Sequence, residues 1–303
     1  ISEETAERAN DKGLMRDKWK KDGLAIPNFD VVSNTEEIRK FVAKFGFPCV
    51  LKPTDCGGSG RGISVLREEE DIDWAFNFAA PFVKNNRFIV EEFIEGTEMT
   101  IETISVNGEV YILAMSDKEK PELRTRVATS LSYPPKFSNK ILYKVEELVK
   151  SAVLSLGIHN GMAHTEVIVT EEKPILVETG ARGGGGHIFH TIIEAVSGKN
   201  APVLCGKLLT GEQLDLSGIK QNGEVYRFFY PPKGTIKSIE NTELVENIEG
   251  VLDFKILVSP GDVIGELNNS LERCGYVVTQ AKNRNQAIEI ADEVENLIQF
   301  TYS

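Results

Sequence analysis

The twelve residues Leu176–His187, LVETGARGGGGH, put a carboxylate, a guanidinium, four consecutive glycines and an imidazole in one short stretch. Four glycines in a row are costly to order, because each loses more backbone freedom than any other residue. Just upstream, MAHTEVIVT (162–170) and PILVET (174–179) flank Glu171, Glu172 and Lys173 and read as a β-hairpin. If those three residues are the loop, Thr170 pairs with Pro174 and Glu166 pairs with Glu178. Directly opposed residues have Cβ atoms about 4.5–5.5 Å apart, where like charges destabilise a sheet. Two carboxylates held there need a proton or a cation between them. A hard cation with oxygen ligands, Mg²⁺ above all, suits the pair when phosphates complete its shell. With a two-residue loop, Glu166 merely faces solvent.

A second stretch, TDCGGSGRG (54–62), joins two apolar strands, FPCVLKP and ISVLR. It lacks the Gly-Lys-Ser/Thr ending of a Walker A loop and opens no helix, so neither the P-loop nor the dinucleotide fingerprint fits. Glycines let backbone N–H groups approach phosphate oxygens, and such a flap can close over a polyphosphate. The alternative is a long mobile hairpin tip. Lys52, at the end of the preceding strand, favours the phosphate reading.

The elements that must position these residues follow from pattern and punctuation. Residues 1–23 read as helix. Ser33 with Glu36 forms a capping box that opens a helix stopped at Gly46. The order over 25–92 is β-α-β-β-α-β. Asn107-Gly108 then turns a hairpin between EMTIETISV and EVYILAMS. A helix from about Ser138 to Leu156 precedes the acidic hairpin, and another resumes near Ile188. From about Gly223 the chain is β-rich and ends in an amphipathic helix.

Taken together, Asp11-Lys12, FPCVLKP with GGSGRG, VEEFIEGTE, HTEVIV and ILVETGAR resemble the ATP-grasp superfamily in order and spacing, over residues 1 to about 200. The chain is most similar to ligases that join a carboxylate to an amine, and to the ATP-binding halves of biotin carboxylase and carbamoyl phosphate synthetase. The resemblance implies an α+β fold in which two α+β lobes hold ATP between them. It divides the chain into a helical linker (1–24), a lid lobe (25–92), a catalytic lobe (93–212) and a small β-rich C-terminal appendage (213–303). It also implies an α/β domain of about 100 residues ahead of Ile1.

For the site, the resemblance implies that Lys12 and Lys52 contact ATP phosphates and that the flap is Gly57, Gly58, Ser59 and Gly60, continuing to Gly62. Glu91, Glu92, Phe93 and Ile94 would be the hinge that reads adenine through backbone groups. Glu98 would hold the ribose hydroxyls, and Glu166 and Glu178 would bind Mg²⁺, with Mn²⁺ as the alternative. Arg182 would stabilise charge on the transferred phosphoryl group or acyl phosphate. Many members have Glu-x-Asn where this chain has Glu178-Thr179-Gly180. Water or backbone then completes a second metal site, or that site is weaker.

The implied reaction is ATP- and Mg²⁺-dependent phosphorylation of a carboxylate to an acyl phosphate, followed by coupling to an amine. The rivals are a bicarbonate-activating carboxylase or carbamoyl-phosphate-type enzyme, and a non-catalytic nucleotide-binding protein. Gly183–Gly186 would offer bare N–H groups to an anion at the start of the helix near Ile188, or else allow close packing. His187 and His190 read as substrate contacts or local hydrogen-bonding residues, His164 as a partner behind Glu166. Arg124 and Arg126 read as substrate contacts or a solvated charge run.

Composition sets outer limits. The 303 residues are 41% hydrophobic and 26% charged, with formal net charge −12. That charge, with no basic cluster, argues against a nucleic-acid surface. No apolar run reaches the roughly 18 residues that span a bilayer. Four scattered cysteines, without metal or disulfide spacing, suit a reducing cytoplasm. With those excluded, the partners that the resemblance implies are a small-molecule carboxylate and amine, with a homodimer left open.

Overall fold

The computed structural model describes residues 1–55, 60–121 and 127–303. The sequence predicts one helix over 1–23; the structure has two, α1 (Glu3–Asn10) and α2 (Lys12–Lys21). Asp11 between them is extended (φ −112°, ψ 115°), and its carboxylate accepts the Leu14 N–H at 2.9 Å. A short acceptor that caps the next turn outcompetes helix continuation at that residue. The freed Lys12 N–H donates to the Thr54 carbonyl at 2.9 Å, which ties the start of α2 to the lid lobe.

The lid lobe runs β1 (Phe29–Val32), α3 (Thr35–Phe45), β2 (Cys49–Pro53), β3 (Ser64–Leu66), α4 (Asp71–Ala79) and β4 (Phe88–Glu92). This is the order expected from the sequence. Its antiparallel sheet has strand order β1-β4-β2-β3. On α3, Ile38 and Phe41 are fully buried, with Val42 and Phe45 beside them, the spacing of one helix face. Burying each of the first two is worth about 1.5–3 kcal/mol. The cap sits one residue later than expected: Asn34 accepts the Glu37 N–H, and Glu37 accepts the Ser33 N–H at 2.7 Å. The run SNTEE offers two overlapping boxes, and the second one forms.

The larger part comprises β5 (Thr97–Val106), β6 (Glu109–Glu119), β7 (Ser130–Tyr133), α5 (Asn139–Ser155), β8 (Gly161–Val169) and β9 (Pro174–Gly180). A π-helical turn, Ile188–Ile192, leads into α6 (Ile193–Ser197), and α7 (Ala201–Thr210) follows. Then come β10 (Gly223–Phe229), β11 (Gly234–Glu240), β12 (Val251–Ile256), β13 (Val263–Ile264), β14 (Gly275–Ala281), α8 (Arg284–Leu297) and β15 (Gln299–Tyr302). An eight-stranded sheet has the order β12-β14-β10-β7-β6-β5-β8-β9. The β-rich C-terminal strands thus extend the catalytic lobe's sheet through β10 against β7. A separate three-stranded sheet is ordered β13-β11-β15. Asn107 and Gly108 turn the β5–β6 hairpin with φ of 52° and 84°, as a two-residue type I′ loop requires.

Alternation along β8 separates chemistry from core. Ala163, Val167 and Val169 pack with Met15 and Trp19 of α2 and with Val145 and Val149 of α5. His164, Glu166 and Ile168 line a cavity on the opposite face. The β8–β9 loop has four residues rather than three, with Val169 opposite Pro174, yet Glu166 still opposes Glu178. A bulge between those pairs absorbs the extra residue and restores the expected juxtaposition.

Candidate active site

A cavity of about 600 Å³ collects side chains from α2, the lid sheet and the large sheet. Lys12, Lys52, Gly60, Glu91, Glu92, Phe93, Ile94, Glu98, Glu166, Glu178 and Arg182 all line it. Gly57, Gly58 and Ser59, like Arg124 and Arg126, lie outside the described residues. Among the described residues eight Lys and Arg side chains and five carboxylates line the cavity, although the whole chain is formally −12. A concave surface with a local positive excess concentrates anions.

At the lid side, Lys52 on β2 and Glu91 on the neighbouring β4 are directly hydrogen-bonded. Arg16 of α2 completes the group, donating from Nε to Glu91 at 2.6 Å and from Nη2 to the Val177 carbonyl at 2.7 Å. Burial pushes the Glu91 carboxyl up, but Arg16 and Lys52 beside it hold its pKa at about 2. Glu91 therefore positions Lys52 through its side chain, and its backbone pairs with both Phe29 and Val50. The expected hinge narrows accordingly. The Glu92 and Phe93 N–H groups go to the Asn28 and Pro48 carbonyls. Among the described residues the Ile94 N–H makes no backbone hydrogen bond, and Ile94 lines the cavity.

On the large sheet, Lys118 of β6 bridges Glu98 (2.8 Å) and Glu166, and Lys120 also bonds Glu98. Burial opposes ionisation of Glu98 and Glu166, but Lys118 and Lys120, with His164 beside Glu166, together outweigh it and lower both carboxyls. Glu178 pairs with Lys12 at 3.3 Å. Each of the two opposed acids thus has its own lysine, which offsets the like-charge repulsion between them. Both acid side chains remain about a quarter exposed towards the cavity. They are hard oxygen donors on adjacent strands and fit a divalent cation whose remaining ligands come from phosphate. No group of three or more His, Cys, Asp or Glu side chains that could hold a metal occurs among the described residues.

Behind Glu166, His164 bonds the fully buried Glu102 through Nδ1 and lies 3.8 Å from Glu166 through Nε2. Burial disfavours its charge, but Glu102 and Glu166 more than compensate and raise its pKa to about 9. Glu102 also accepts the Gly184 N–H at 3.0 Å. At Gly184 the N–H thus goes to the protein's own carboxylate, while Gly183, Gly185 and Gly186 line the cavity. Close packing accounts for two of the glycines: a Cβ on Gly183 would lie 2.2 Å from Phe189, and one on Gly184 2.5 Å from Ile188, whereas one on Gly185 would meet nothing within 4 Å. His187 pairs with Asp253 at 3.0 Å, a local partner.

Arg182 folds back over Gly180. A Cβ on that glycine would touch the arginine Cγ and Nε at 3.4 Å, and its Nη1 donates to the Gly183 carbonyl at 2.9 Å. The space that an Asn side chain would claim is occupied by the arginine. Sequence reasoning missed Arg16, Lys118, Lys120 and Glu102. The alternation on β6 marks Lys118 as facing the same side as its strand's inward residues, but nothing local distinguishes it from a solvated lysine.

Comparison with known proteins agrees with this architecture. Residues 45–190 match the ATP-grasp domain model, and residues 227–303 match the L-amino acid ligase C-terminal domain 2 model. The chain carries an ATP-grasp domain followed by a C-terminal domain of the amino acid ligase type. It is 27% identical over 278 residues to the L-arginine-specific L-amino acid ligase of Bacillus subtilis, covering 88% of this chain and 66% of that protein. It is 29% identical over 236 residues to the alanine–anticapsin ligase of Bacillus subtilis (strain 168), covering 70% of this chain and 49% of that protein. The crystal structure of L-amino acid ligase from Bacillus licheniformis superposes with a TM-score of 0.83 at 22% identity, over 100% of this chain and 74% of that one. The chain spans about half to two thirds of the length of these curated relatives. Among the described residues no helix is long and apolar enough to cross a membrane.

Proposed function

We propose that the protein is an ATP-dependent carboxylate–amine ligase acting on amino acids. The observation that carries this reading is one cavity joining Lys12 and Lys52 to the opposed carboxylates Glu166 and Glu178. The relatives named for L-arginine and for alanine support an amino acid as the carboxylate donor. Lys52, Lys12 and the flap residues Gly57–Gly60 hold the polyphosphate, Ile94 reads the adenine edge, and Glu98 receives the ribose. Glu166 and Glu178 would hold Mg²⁺ or Mn²⁺, which supplies charge neutralisation at the transferred phosphoryl group.

In the reaction, a donor carboxylate oxygen attacks the γ-phosphorus and ADP leaves, giving an acyl phosphate. The amine then attacks the acyl carbon, its proton is lost and phosphate departs. Arg182, at the mouth of the tetraglycine segment, stabilises charge on the phosphoryl oxygens. A reducing cytoplasm fits Cys49, Cys205 and Cys274, which are free thiols. The test is a panel of amino acids given in pairs with Mg-ATP to the full-length protein, scored by ADP, phosphate and dipeptide formation. ADP release that depends on a donor carboxylate supports the reading. No ADP with any donor overturns it.

A further inference from the structure

Arg273, between the 3₁₀ turn Ser270–Glu272 and β14, reaches the same cavity from the C-terminal domain. Its guanidinium carbon lies 3.4 Å from the centroid of the Phe228 ring, and Nη2 donates to the Ala128 carbonyl at 2.6 Å. Nε is buried and has no hydrogen-bond partner among the described residues. No carboxylate among them lies within ion-pair distance either. By contrast, Arg16, Arg227 and Arg284 each have a carboxylate at 2.6 Å. A guanidinium half withdrawn from water without a counter-ion is costly, and burial alone pulls its pKa down to about 10. Its planar fork is suited to a carboxylate taken in two parallel hydrogen bonds.

The surroundings say which carboxylate. Val127, Leu131, Tyr226 and Phe228 also line the cavity, and the Phe228 ring stacks under Arg273, so this guanidinium has an apolar and aromatic wall beside it. Gly186 lies against the Tyr226 hydroxyl, where a Cβ would sit 2.8 Å away. The four residue steps from Arg182 to Gly186 span at most about 14 Å. One amino acid and the arm of an arginine bridge such a gap. Resting on the ligase reading above, we propose that Arg273 binds the free carboxylate of the amine-bearing substrate. The acceptor is then an amino acid rather than a simple amine, with its side chain against Tyr226 and Phe228.

The experiment compares an acceptor amino acid, its carboxamide and hydroxylamine, each with Mg-ATP and a donor found to support ADP release. The full-length wild type, Arg273→Ala and Arg273→Lys are assayed for KM, kcat and product. Wild type should prefer the acid over the amide. In Arg273→Ala the acceptor KM should rise about tenfold to hundredfold, the range for losing a hydrogen-bonded charge pair. The preference for acid over amide should fall to near one. Arg273→Lys, which keeps the charge and loses the fork, should lie between, and it carries the test if the alanine variant does not fold. Hydroxamate formation with hydroxylamine, which has no carboxylate, reports that donor activation persists. If hydroxamate forms and both variants keep the wild-type acceptor KM and acid preference, the Arg273 assignment is wrong and the ligase reading stands. If wild type forms no hydroxamate with any donor, the ligase reading fails and takes this assignment with it.

Discussion

Replacing Glu91 with Gln should destabilise the fold by about 3 kcal/mol at neutral pH, and the loss should fade in acid. Glu91 is 2% exposed and is the shared acceptor of Arg16 and Lys52. Its pKa of about 2, against an ordinary 4.5, corresponds to about 3.4 kcal/mol at 1.36 kcal/mol per pH unit. Removing one member of a buried ion cluster independently predicts a loss of about 3–5 kcal/mol, because the partners stay buried and uncompensated. The folded-state pKa is depressed, so this stabilisation is complete above pH 4.5 and is lost as pH falls from 4.5 towards 2. Urea unfolding of wild type and Glu91→Gln at pH 7, 4.5 and 3 measures it. The gap between the two proteins should be largest at pH 7 and visibly smaller at pH 3. A gap that stays the same across that range would mean that Glu91 is not the ionised anchor of Lys52, and it would refute the reasoning.

Glu178→Gln should leave apo stability within about 1 kcal/mol, since losing the Lys12 pair is offset by relief from Glu166. ADP release should nevertheless fall severely and respond weakly to added Mg²⁺; near-wild-type turnover would remove Glu178 from the metal site. His164→Asn should cost up to about 3 kcal/mol below pH 6.5, because a pKa raised to about 9 gives stability that is lost as pH rises through 9. NMR titration of the ring checks the value, and an ordinary pKa near 6.5 would contradict the Glu102–His164–Glu166 arrangement. Gly184→Ala places a methyl 2.5 Å from Ile188 and 2.6 Å from Glu102, so thermal melts should show a loss of roughly 1–3 kcal/mol.

Local signals carried the elements, and pairing rules carried the acids. The lid order was legible because glycine, proline and capping residues punctuate six short segments. The Glu166–Glu178 opposition was legible because strand pairing has period two, although the loop was one residue longer than read and a bulge made up the difference. Lys118, Glu102 and Arg273 were not legible. Each is brought to the site by a strand or turn far away in sequence, and each looks locally like an ordinary surface or core residue. Glu102 in particular sits in EMTIETISV among β-formers, and only the fold shows that it meets His164 and Gly184. The glycines were read correctly as a bare backbone, but a bare backbone serves anion binding and close packing equally well. At Gly183 and Gly184 the positions of Phe189, Ile188 and Glu102 favour packing, and Gly185 stays open on the cavity.

The pairing of each acid with a lysine has a consequence for how an anion enters. Lys52, Lys12, Lys118 and Lys120 are already bonded to Glu91, Glu178, Glu166 and Glu98. On the proposed reading, an incoming polyphosphate would exchange partners with carboxylates rather than neutralise bare cations. A divalent cation held by Glu166 and Glu178 would compensate those two acids as Lys118 and Lys12 turned to phosphate. Nucleotide without metal would leave Glu166 and Glu178 facing both each other and the phosphates. On that reading metal and nucleotide should bind with positive coupling, which by thermodynamic reciprocity each must show toward the other. Calorimetric titration of nucleotide with and without Mg²⁺, and of Mg²⁺ with and without nucleotide, should give the same enhancement factor. Glu166→Gln together with Glu178→Gln should bring that factor close to the one set by Mg²⁺ chelation of the nucleotide alone. An unchanged factor in the double variant would show that these two acids are not where metal and nucleotide meet.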